Sequence, residues 1–206
     1  MTEARATDWD LYYRSAPFLS RFTRPVIHGA FLECLERYSI AHPAIAELGG
    51  SGSQVLERVR ANLQPREYHV VDSNAYGLEL LRPRLGAAVT LHLADVLQFR
   101  PDFAVDTVFS LGLIEHFDAA GTRQAVRAHL EMLKPGGVAV ITFPTPTLAY
   151  RISRGISEAA GKWIFHDERP LEIPEVEAAC EGLGTLIHSE LIWTPLTQRM
   201  VVIKKA

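Results

Sequence analysis

The chain has few of the features that mark secreted, membrane-spanning or nucleic-acid-binding proteins. Its two cysteines, Cys34 and Cys180, lie at neither metal-ligand nor redox spacing, so we expect reduced thiols. No apolar run approaches the roughly 20 residues that span a bilayer, and residues 1–10 lack the apolar core of a signal peptide. The 21 basic and 24 acidic residues nearly balance, which disfavours nucleic-acid and membrane partners. These absences predict a cytoplasmic protein.

From residue 44 onward, strand-like and helix-like segments alternate along the chain. This alternation predicts parallel strands joined by right-handed helical crossovers. Strands are predicted at 44–48, 67–71, 87–93, 105–111 and 138–143, with helices between them at 53–62, 75–85 and 119–133. A helix over 172–182 and an antiparallel pair of strands, 185–193 and 199–204, are predicted to close the sheet.

We divide residues 1–206, interpreted as a single domain, into four parts. They are a helical cap (1–43), a ligand-binding core (44–143), a lid rich in proline, glycine and aromatic residues (144–171), and a C-terminal helix with a β-hairpin (172–206). In the cap, the spacing of apolar residues predicts a helix over 26–38 that begins after Pro25. The cap and the lid are predicted to pack over the ligand.

A glycine-serine loop, Gly49-Gly50-Ser51-Gly52-Ser53, follows the first strand. Glycines permit positive φ and let a ligand approach the backbone closely. The helix behind the loop points free N–H groups and a partial positive charge towards it. Ser51 and Gln54 fit a capping box, so Ser51 is predicted to cap this helix. The loop predicts a site for a carboxylate or phosphate without identifying the ligand.

Further motifs follow the later strands. Asp72 closes the second strand and Ala94-Asp95-Val96 follows the third. Ser110-Leu111-Gly112-Leu113-Ile114-Glu115-His116-Phe117 ends the fourth strand, and Leu133-Lys134-Pro135-Gly136-Gly137 precedes the fifth. Together with the segment from Glu47 to Ser53, these motifs resemble the class I S-adenosylmethionine (SAM)-dependent methyltransferases over about residues 44–206. Ser51 and Ser53 stand where the family pattern has its second and third glycines.

The resemblance implies a doubly wound α/β fold with a seven-stranded, mostly parallel sheet. The implied strand order is 3-2-1-4-5-7-6, with strand 7 antiparallel, and the N-terminal helices and the lid are additions to it. The implied activity is methyl transfer from SAM to a small molecule. Whether the acceptor atom is oxygen, nitrogen, sulfur or carbon stays open.

The resemblance also implies which residues hold the cofactor. Glu47 is suited to its ammonium, Asp72 to the ribose hydroxyls, and Asp95 to the adenine amine. Structural roles stay open for all three: a loop-bracing acid, a helix cap and a turn acid, respectively. The full implied set is Glu47, Gly49, Gly50, Ser51, Gly52, Asp72, Ser73, Asp95, Val96, Leu111 and Gly112.

His116 is the candidate catalytic residue, because it follows strand four, where the acceptor should meet the methyl group. A histidine can act as a general base near neutral pH, although a base is needed only for an acceptor whose proton has a high pKa. Glu115 is interpreted as a helix cap. No group of histidines and acids has clear metal-ligand spacing, so no metal site is predicted. The predicted substrate pocket comprises Tyr12, Tyr13, His116, Trp163 and His166.

Three other functions stay open at this point. The chain fits a non-catalytic SAM-binding or scaffold protein, because cofactor motifs do not report on chemistry. Methylation of a protein substrate is also open. An NAD(P)-dependent oxidoreductase is disfavoured, because the loop lacks the third glycine of the dinucleotide fingerprint and no Tyr-Lys catalytic pair is apparent. The sequence leaves the oligomeric state open.

Overall fold

The computed structural model describes residues 6–14, 20–86 and 88–206, with only the backbone described for residues 20–22. Its helices are α1 (Trp9–Arg14), α2 (Ser20–Tyr38), α3 (Leu56–Leu63), α4 (Ala75–Leu81), α5 (Ala119–Glu131), α6 (Leu148–Ala159) and α7 (Ile173–Cys180). Its strands are β1 (Ala44–Leu48), β2 (Glu67–Asp72), β3 (Val89–Leu93), β4 (Val105–Leu111), β5 (Leu133–Pro144), β6 (Gly184–Ile192) and β7 (Gln198–Lys205). Short 3₁₀ turns span Arg82–Arg84 and Ile114–His116.

The seven strands form one sheet in the order β3-β2-β1-β4-β5-β7-β6. Strands β1 to β5 pair in parallel, and β7 is antiparallel to both β5 and β6. The predicted fold, strand order and closing hairpin are therefore confirmed. Since the chain order reverses between β1 and β4, the carboxyl ends of these strands open a crevice of the kind in which α/β proteins bind ligands.

Helices cover the sheet on both faces and create two apolar layers. Helices α2, α3 and α4 pack on one face around Leu35, Ile45 and Phe109, and α5 and α7 pack on the other around Leu130 and Ile141. All five residues are 0% exposed. Every residue of β1 is buried, as expected for a central parallel strand with both faces covered. Among the described residues, no helix has the length and apolar character needed to cross a membrane.

Helix α2 begins earlier than the sequence predicts, at Ser20, and includes Pro25. Proline lacks the N–H that would bond to the carbonyl of residue 21, so its place in the second turn costs free energy. Phe31 and Leu35, on the same helix, are fully buried against the sheet. Burial of a large apolar side chain contributes about 1.5–3 kcal/mol, so packing outweighs the local preference.

The predicted capping role of Ser51 is wrong. Helix α3 begins at Leu56, and Val55 at its N-cap makes no side-chain capping bond. Instead, the Ser51 hydroxyl donates to the carbonyl oxygen of Asn74 at 3.0 Å, while the Gln54 amide donates to the carbonyl oxygen of Gly52 at 2.8 Å. The Ser51 side chain therefore bonds to the segment after β2 and not to the start of the helix.

The predicted turn before the fifth strand is part of β5, which begins at Leu133. Leu133 pairs with Val105, and the register then shifts so that Val138 pairs with Thr107. At this end of the sheet, remote from the glycine loop, Asp106 accepts hydrogen bonds from the Ala44 N–H at 2.8 Å and the Lys134 Nζ at 3.1 Å. Asp106 therefore has a structural role at the start of β4.

Candidate active site

A cavity of about 470 Å³ lies at the carboxyl ends of the central strands. This volume falls in the range of small-molecule sites, roughly 300–1,000 Å³. The cavity brings together most of the predicted site residues, from the cap, the core and the lid. Those that line it are Tyr12, Tyr13, Glu47, Gly49, Ser51, Asp72, Ser73, Asp95, Val96, Leu111, Gly112, His116 and Trp163.

The glycine loop shapes the floor of the cavity. Gly49 has φ +69°, and its N–H donates to the Val71 carbonyl at 2.9 Å. Gly50 and Gly52 are not among the lining residues. A Cβ on Gly50 would come within 2.6 Å of Val70 Cγ1, and one on Gly52 (φ +62°) within 2.8 Å of the Tyr13 ring. These two glycines let neighbouring side chains pack against the loop.

Glu47 lies beneath the loop and is 3% exposed. The Tyr68 hydroxyl donates to its Oε2 at 2.6 Å. Burial raises the pKa of Glu47 to about 7, although hydrogen bonds from Tyr68 and Ser53 oppose the rise. The carboxyl group is therefore poised to ionise near neutral pH, where a cationic ligand group in the cavity would favour its charged form.

Asp72 links the loop to the start of α4. Its Oδ2 accepts the Ser51 N–H at 2.9 Å, and its Oδ1 accepts the Asn74 N–H at 2.7 Å. Burial raises its pKa, while these backbone bonds oppose the rise. The cap of α4 is Asn74, which accepts the Gly77 N–H at 2.6 Å, so the capping alternative for Asp72 is wrong. Each carboxylate oxygen of Asp72 keeps capacity for a ligand hydroxyl.

Asp95 braces the turn after β3 and also lines the cavity. Its Oδ1 accepts the Leu97 N–H at 2.9 Å, and its Oδ2 accepts the Gln98 amide at 3.2 Å. The next residue, Val96, is buried at the cavity wall. The turn role of Asp95 is therefore present, and its exposed carboxylate is also available to a ligand.

Residues 7–14, which we call the N-terminal strap, form part of the cavity wall through Trp9, Tyr12 and Tyr13. Two hydrogen bonds attach the strap to the rest of the protein. Asp10 Oδ1 accepts a hydrogen bond from the Asn74 side-chain amide at 2.7 Å, and the Thr7 N–H donates to Asp167 Oδ2 of the lid at 3.0 Å. The Trp9 ring meets the His116 ring edge-on, with centroids 4.8 Å apart. Thr7 and Trp9 were not predicted as site residues, because a run of aromatic residues predicts that the segment is buried but not which residues it packs against.

His116 projects into the cavity with its orientation fixed by the lid. Its Nδ1 lies 2.8 Å from Asp167 Oδ1, and the Thr7 hydroxyl donates to the same oxygen. Burial lowers the pKa of His116, but the bond to Asp167 and the charge of Glu115 outweigh it and raise the pKa overall. In the neutral ring, an Nδ1–H donated to Asp167 leaves the Nε2 lone pair free.

Two further acids face this side of the cavity, Glu115 and Glu168. Glu115 is 2% exposed, and burial raises its pKa to about 8. Its interpretation as a helix cap is wrong, because Asp118 caps α5 by accepting the Gly121 N–H at 2.8 Å. Glu115 instead lies in the tight 3₁₀ turn between β4 and α5, with its carbonyl accepting the Arg169 N–H of the lid at 2.9 Å.

The lid contributes Trp163 but not His166 to the pocket. Trp163 is 8% exposed, and its Nε1–H donates to the Phe165 carbonyl at 2.8 Å. His166 is exposed and is not among the cavity-lining residues. Its predicted place in the substrate pocket is therefore wrong, because the turn that aims Asp167 and Glu168 inwards leaves His166 on the surface.

Residues 45–137 match a family model described as a methyltransferase domain. The predicted resemblance is confirmed over this stretch, which contains the glycine loop, Asp72, Asp95 and His116. No curated protein sequence matches the chain.

Solved structures of methyltransferases share the fold of this chain. The N-methyltransferase NodS of Bradyrhizobium japonicum, in complex with S-adenosylhomocysteine (SAH), superposes with a TM-score of 0.68 at 14% identity, over 98% of this chain and 93% of that one. Magnesium protoporphyrin IX methyltransferase of Synechocystis, with bound SAH, gives 0.71 at 12% identity, over 96% and 94%. The 1,6-didemethyltoxoflavin-N1-methyltransferase of Burkholderia thailandensis, with its substrate and SAH, gives 0.69 at 14% identity, over 97% and 86%. All three hold SAH, which agrees with the predicted cofactor.

Proposed function

We propose that this chain transfers a methyl group from SAM to a small molecule held beneath the N-terminal strap and the lid. The observation that carries the proposal is the single cavity that joins Glu47 and Asp72 at one side to His116 at the other. Two of the similar structures are methyltransferases named for small molecules, 1,6-didemethyltoxoflavin and magnesium protoporphyrin IX. A cavity of about 470 Å³ favours a compact acceptor over a polypeptide segment.

In this proposal the amino-acid end of the cofactor lies on the loop at Gly49 and Ser51, with its ammonium towards Glu47. Asp72, beside Ser73, accepts the ribose hydroxyls. The adenine lies against Val96 with its amine towards Asp95. The roles proposed for these side chains follow from their charges: carboxylates accept from ammonium, hydroxyl and amine groups.

The carbonyls of Leu111 and Gly112 would then face the sulfonium side, next to His116. Methyl transfer is an in-line displacement, so positioning and exclusion of water supply most of the catalysis. The strap excludes water through Trp9, which covers the His116 ring. The free Nε2 of His116 is the atom placed to accept a proton from the acceptor when the acceptor carries one.

The cofactor proposal is tested by thermal shift with SAH, with NADH as the competing ligand. We expect SAH to raise the melting temperature and NADH to leave it unchanged. The variants Asp72→Ala and Gly49→Val should abolish the SAH shift, the second because a Cβ there would lie 2.8 Å from Leu113 Cδ1 at a φ of +69°. Gly136→Val is the matched control, since Gly136 has φ +77° with nothing within 4 Å of its Cβ position.

Unchanged SAH binding in both Asp72→Ala and Gly49→Val would overturn the site assignment. A SAH shift without turnover on any small acceptor would favour the non-catalytic SAM-binding alternative. Turnover is measured as SAH release from SAM in the presence of pooled candidate acceptors, including phenols, amines, thiols and carboxylic acids. A stabilising effect of NADH alone would favour the oxidoreductase.

A further inference from the structure

Three side chains with metal-ligating atoms converge on the acceptor side of the cavity. Glu115, His116 and Glu168 each offer one ligand atom, and these atoms all lie within 4.8 Å of one another. All three residues line the cavity. Residue spacing in the sequence predicts no metal site here, because Glu168 lies far along the chain from the adjacent pair Glu115-His116 and reaches it only through the folded lid.

Glu115 provides an independent sign that a ligand belongs here. Its side chain is 2% exposed, and its Oε2 has no hydrogen-bond partner among the described residues. A buried polar oxygen without a hydrogen-bond partner costs about 1–3 kcal/mol even in a neutral carboxyl group, so a fold that keeps one favours a role in binding. Glu115 faces the cavity from the 3₁₀ turn that holds His116, which places the unpartnered oxygen beside the imidazole.

Among the described residues, the side chains of His116 and Glu168 each have one hydrogen-bond partner, Asp167 and Tyr150 respectively, which leaves a second atom of each side chain free to bind a metal ion. Asp167 accepts from His116 Nδ1 at 2.8 Å, which directs the Nε2 lone pair away from Asp167. The Tyr150 hydroxyl donates to Glu168 Oε1, which leaves Oε2 of that carboxylate available. A carboxylate behind a ligating histidine is the usual second layer of a metal site, because it sets the tautomer and the ring orientation.

We propose that Glu115, His116 Nε2 and Glu168 bind one divalent cation, and that this cation holds oxygen atoms of the methyl acceptor. Two carboxylates and one neutral imidazole balance a charge of +2 and suit Mn²⁺ and Zn²⁺, with Mg²⁺ bound more weakly. Metal–ligand bonds of about 2.1 Å separate opposite ligand atoms by about 4.2 Å and adjacent ones by about 3.0 Å. Ligand atoms that lie up to 4.8 Å apart would therefore close by up to about 2 Å when the cation binds.

This inference rests on the proposed methyltransferase function and narrows its substrate class. With three protein ligands, an octahedral ion keeps positions open to the cavity. The acceptor that fits is a small molecule with two neighbouring oxygen atoms, such as a hydroxyl beside another hydroxyl, a carbonyl or a carboxylate. A bound cation lowers the pKa of a coordinated hydroxyl, whose proton leaves to solvent as the acceptor binds. With the cation in place, His116 Nε2 is a ligand, and this role replaces the proton-accepting role given to the same atom above.

The test is binding of Mn²⁺ alone to the full chain after dialysis against a chelator. Loss of the free Mn²⁺ signal in electron paramagnetic resonance, with isothermal titration calorimetry, should give one Mn²⁺ per chain. Glu115→Gln and Glu168→Gln should each weaken binding at least about tenfold. The matched control is Glu172→Gln. Glu172 is exposed and follows directly after the lid, so this variant should leave Mn²⁺ binding unchanged.

Two results would overturn the cation site: no binding by the wild-type chain at millimolar Mn²⁺, or wild-type affinity in both glutamine variants. Circular dichroism tests whether each variant is folded. If Glu115→Gln does not fold, the binding test rests on Glu168→Gln alone. The SAH thermal shift is measured on the same samples. If SAH raises the melting temperature of the wild-type chain but Mn²⁺ does not bind, only the cation site is overturned. If SAH does not raise the melting temperature of the wild-type chain, the proposed function is overturned.

Discussion

Replacing Glu47 with glutamine is expected to stabilise the folded protein above pH 7 and, at the same time, to weaken SAH binding. Burial raises the pKa of Glu47 from its usual value near 4.5 to about 7, against hydrogen bonds from Tyr68 and Ser53. Glutamine has nearly the shape of the protonated acid, and its oxygen can still accept from the Tyr68 hydroxyl. The substitution therefore removes the ionisation of Glu47 and leaves the packing nearly intact.

The magnitude follows from the two pKa values of Glu47. The folded state holds the proton more tightly than the unfolded chain, so the unfolding free energy falls as pH rises from about 4.5 to about 7 and then levels. At 1.36 kcal/mol per pKa unit, the fall amounts to about 3 kcal/mol. Glutamine shows no such fall, so the variant should match the wild type at pH 4.5 and exceed it by about 3 kcal/mol at pH 8.

The assay is urea unfolding of both proteins at a series of pH values from 4.5 to 8. Glu115 also titrates in this range, with a pKa of about 8, but its contribution is common to both proteins and cancels in their difference. Equal denaturant slopes would establish that both proteins unfold from equally compact states. SAH affinity is measured by calorimetry at the same pH values.

Binding should show the opposite trend to stability. The ammonium of SAH favours the ionised form of Glu47, so wild-type affinity should rise with pH up to about 7, by at most about tenfold per pH unit. In the variant this rise should be absent, and affinity at pH 7.5 should be at least about tenfold lower than in the wild type. Parallel pH profiles for the two proteins, in stability or in binding, would refute the reasoning.

Two further substitutions test the opposite sides of the cavity. His116→Ala should keep the SAH thermal shift while slowing methyl transfer by at least about 10²-fold, measured as SAH release with an identified acceptor; an unaffected rate would remove His116 from the mechanism. Gly52→Val should lower the melting temperature and weaken SAH binding, since a non-glycine residue at φ +62° costs about 1–2 kcal/mol and its Cβ would displace the Tyr13 ring. If Gly52→Val matched the wild type in both measurements, the strap would not pack on the loop as described.

Much of the fold could be predicted from local patterns. The bounds of β1 and β4 match the prediction residue for residue, because buried parallel strands are continuous apolar runs. The starts of α4 and α5 also match the prediction, but those of two other helices do not, because α2 includes Pro25 and Ser51 does not cap α3. At both places a contact with a distant segment outweighs a local preference, which is about 3 kcal/mol for an interior proline and about 1 kcal/mol for a cap.

Periodicity and spacing in the sequence were enough to predict which segments form strands and which acids follow them, because both depend on short stretches of chain, whereas the strand order was implied by the family resemblance. Only the tertiary structure decided which groups meet across the cavity. Asp167 and Glu168 reach His116 through the lid, and Thr7 and Trp9 reach it through the N-terminal strap. Contacts between distant segments and the burial they produce depend on the whole packed chain, which local patterns do not describe. The same burial raises the pKa values of Glu47 and Glu115.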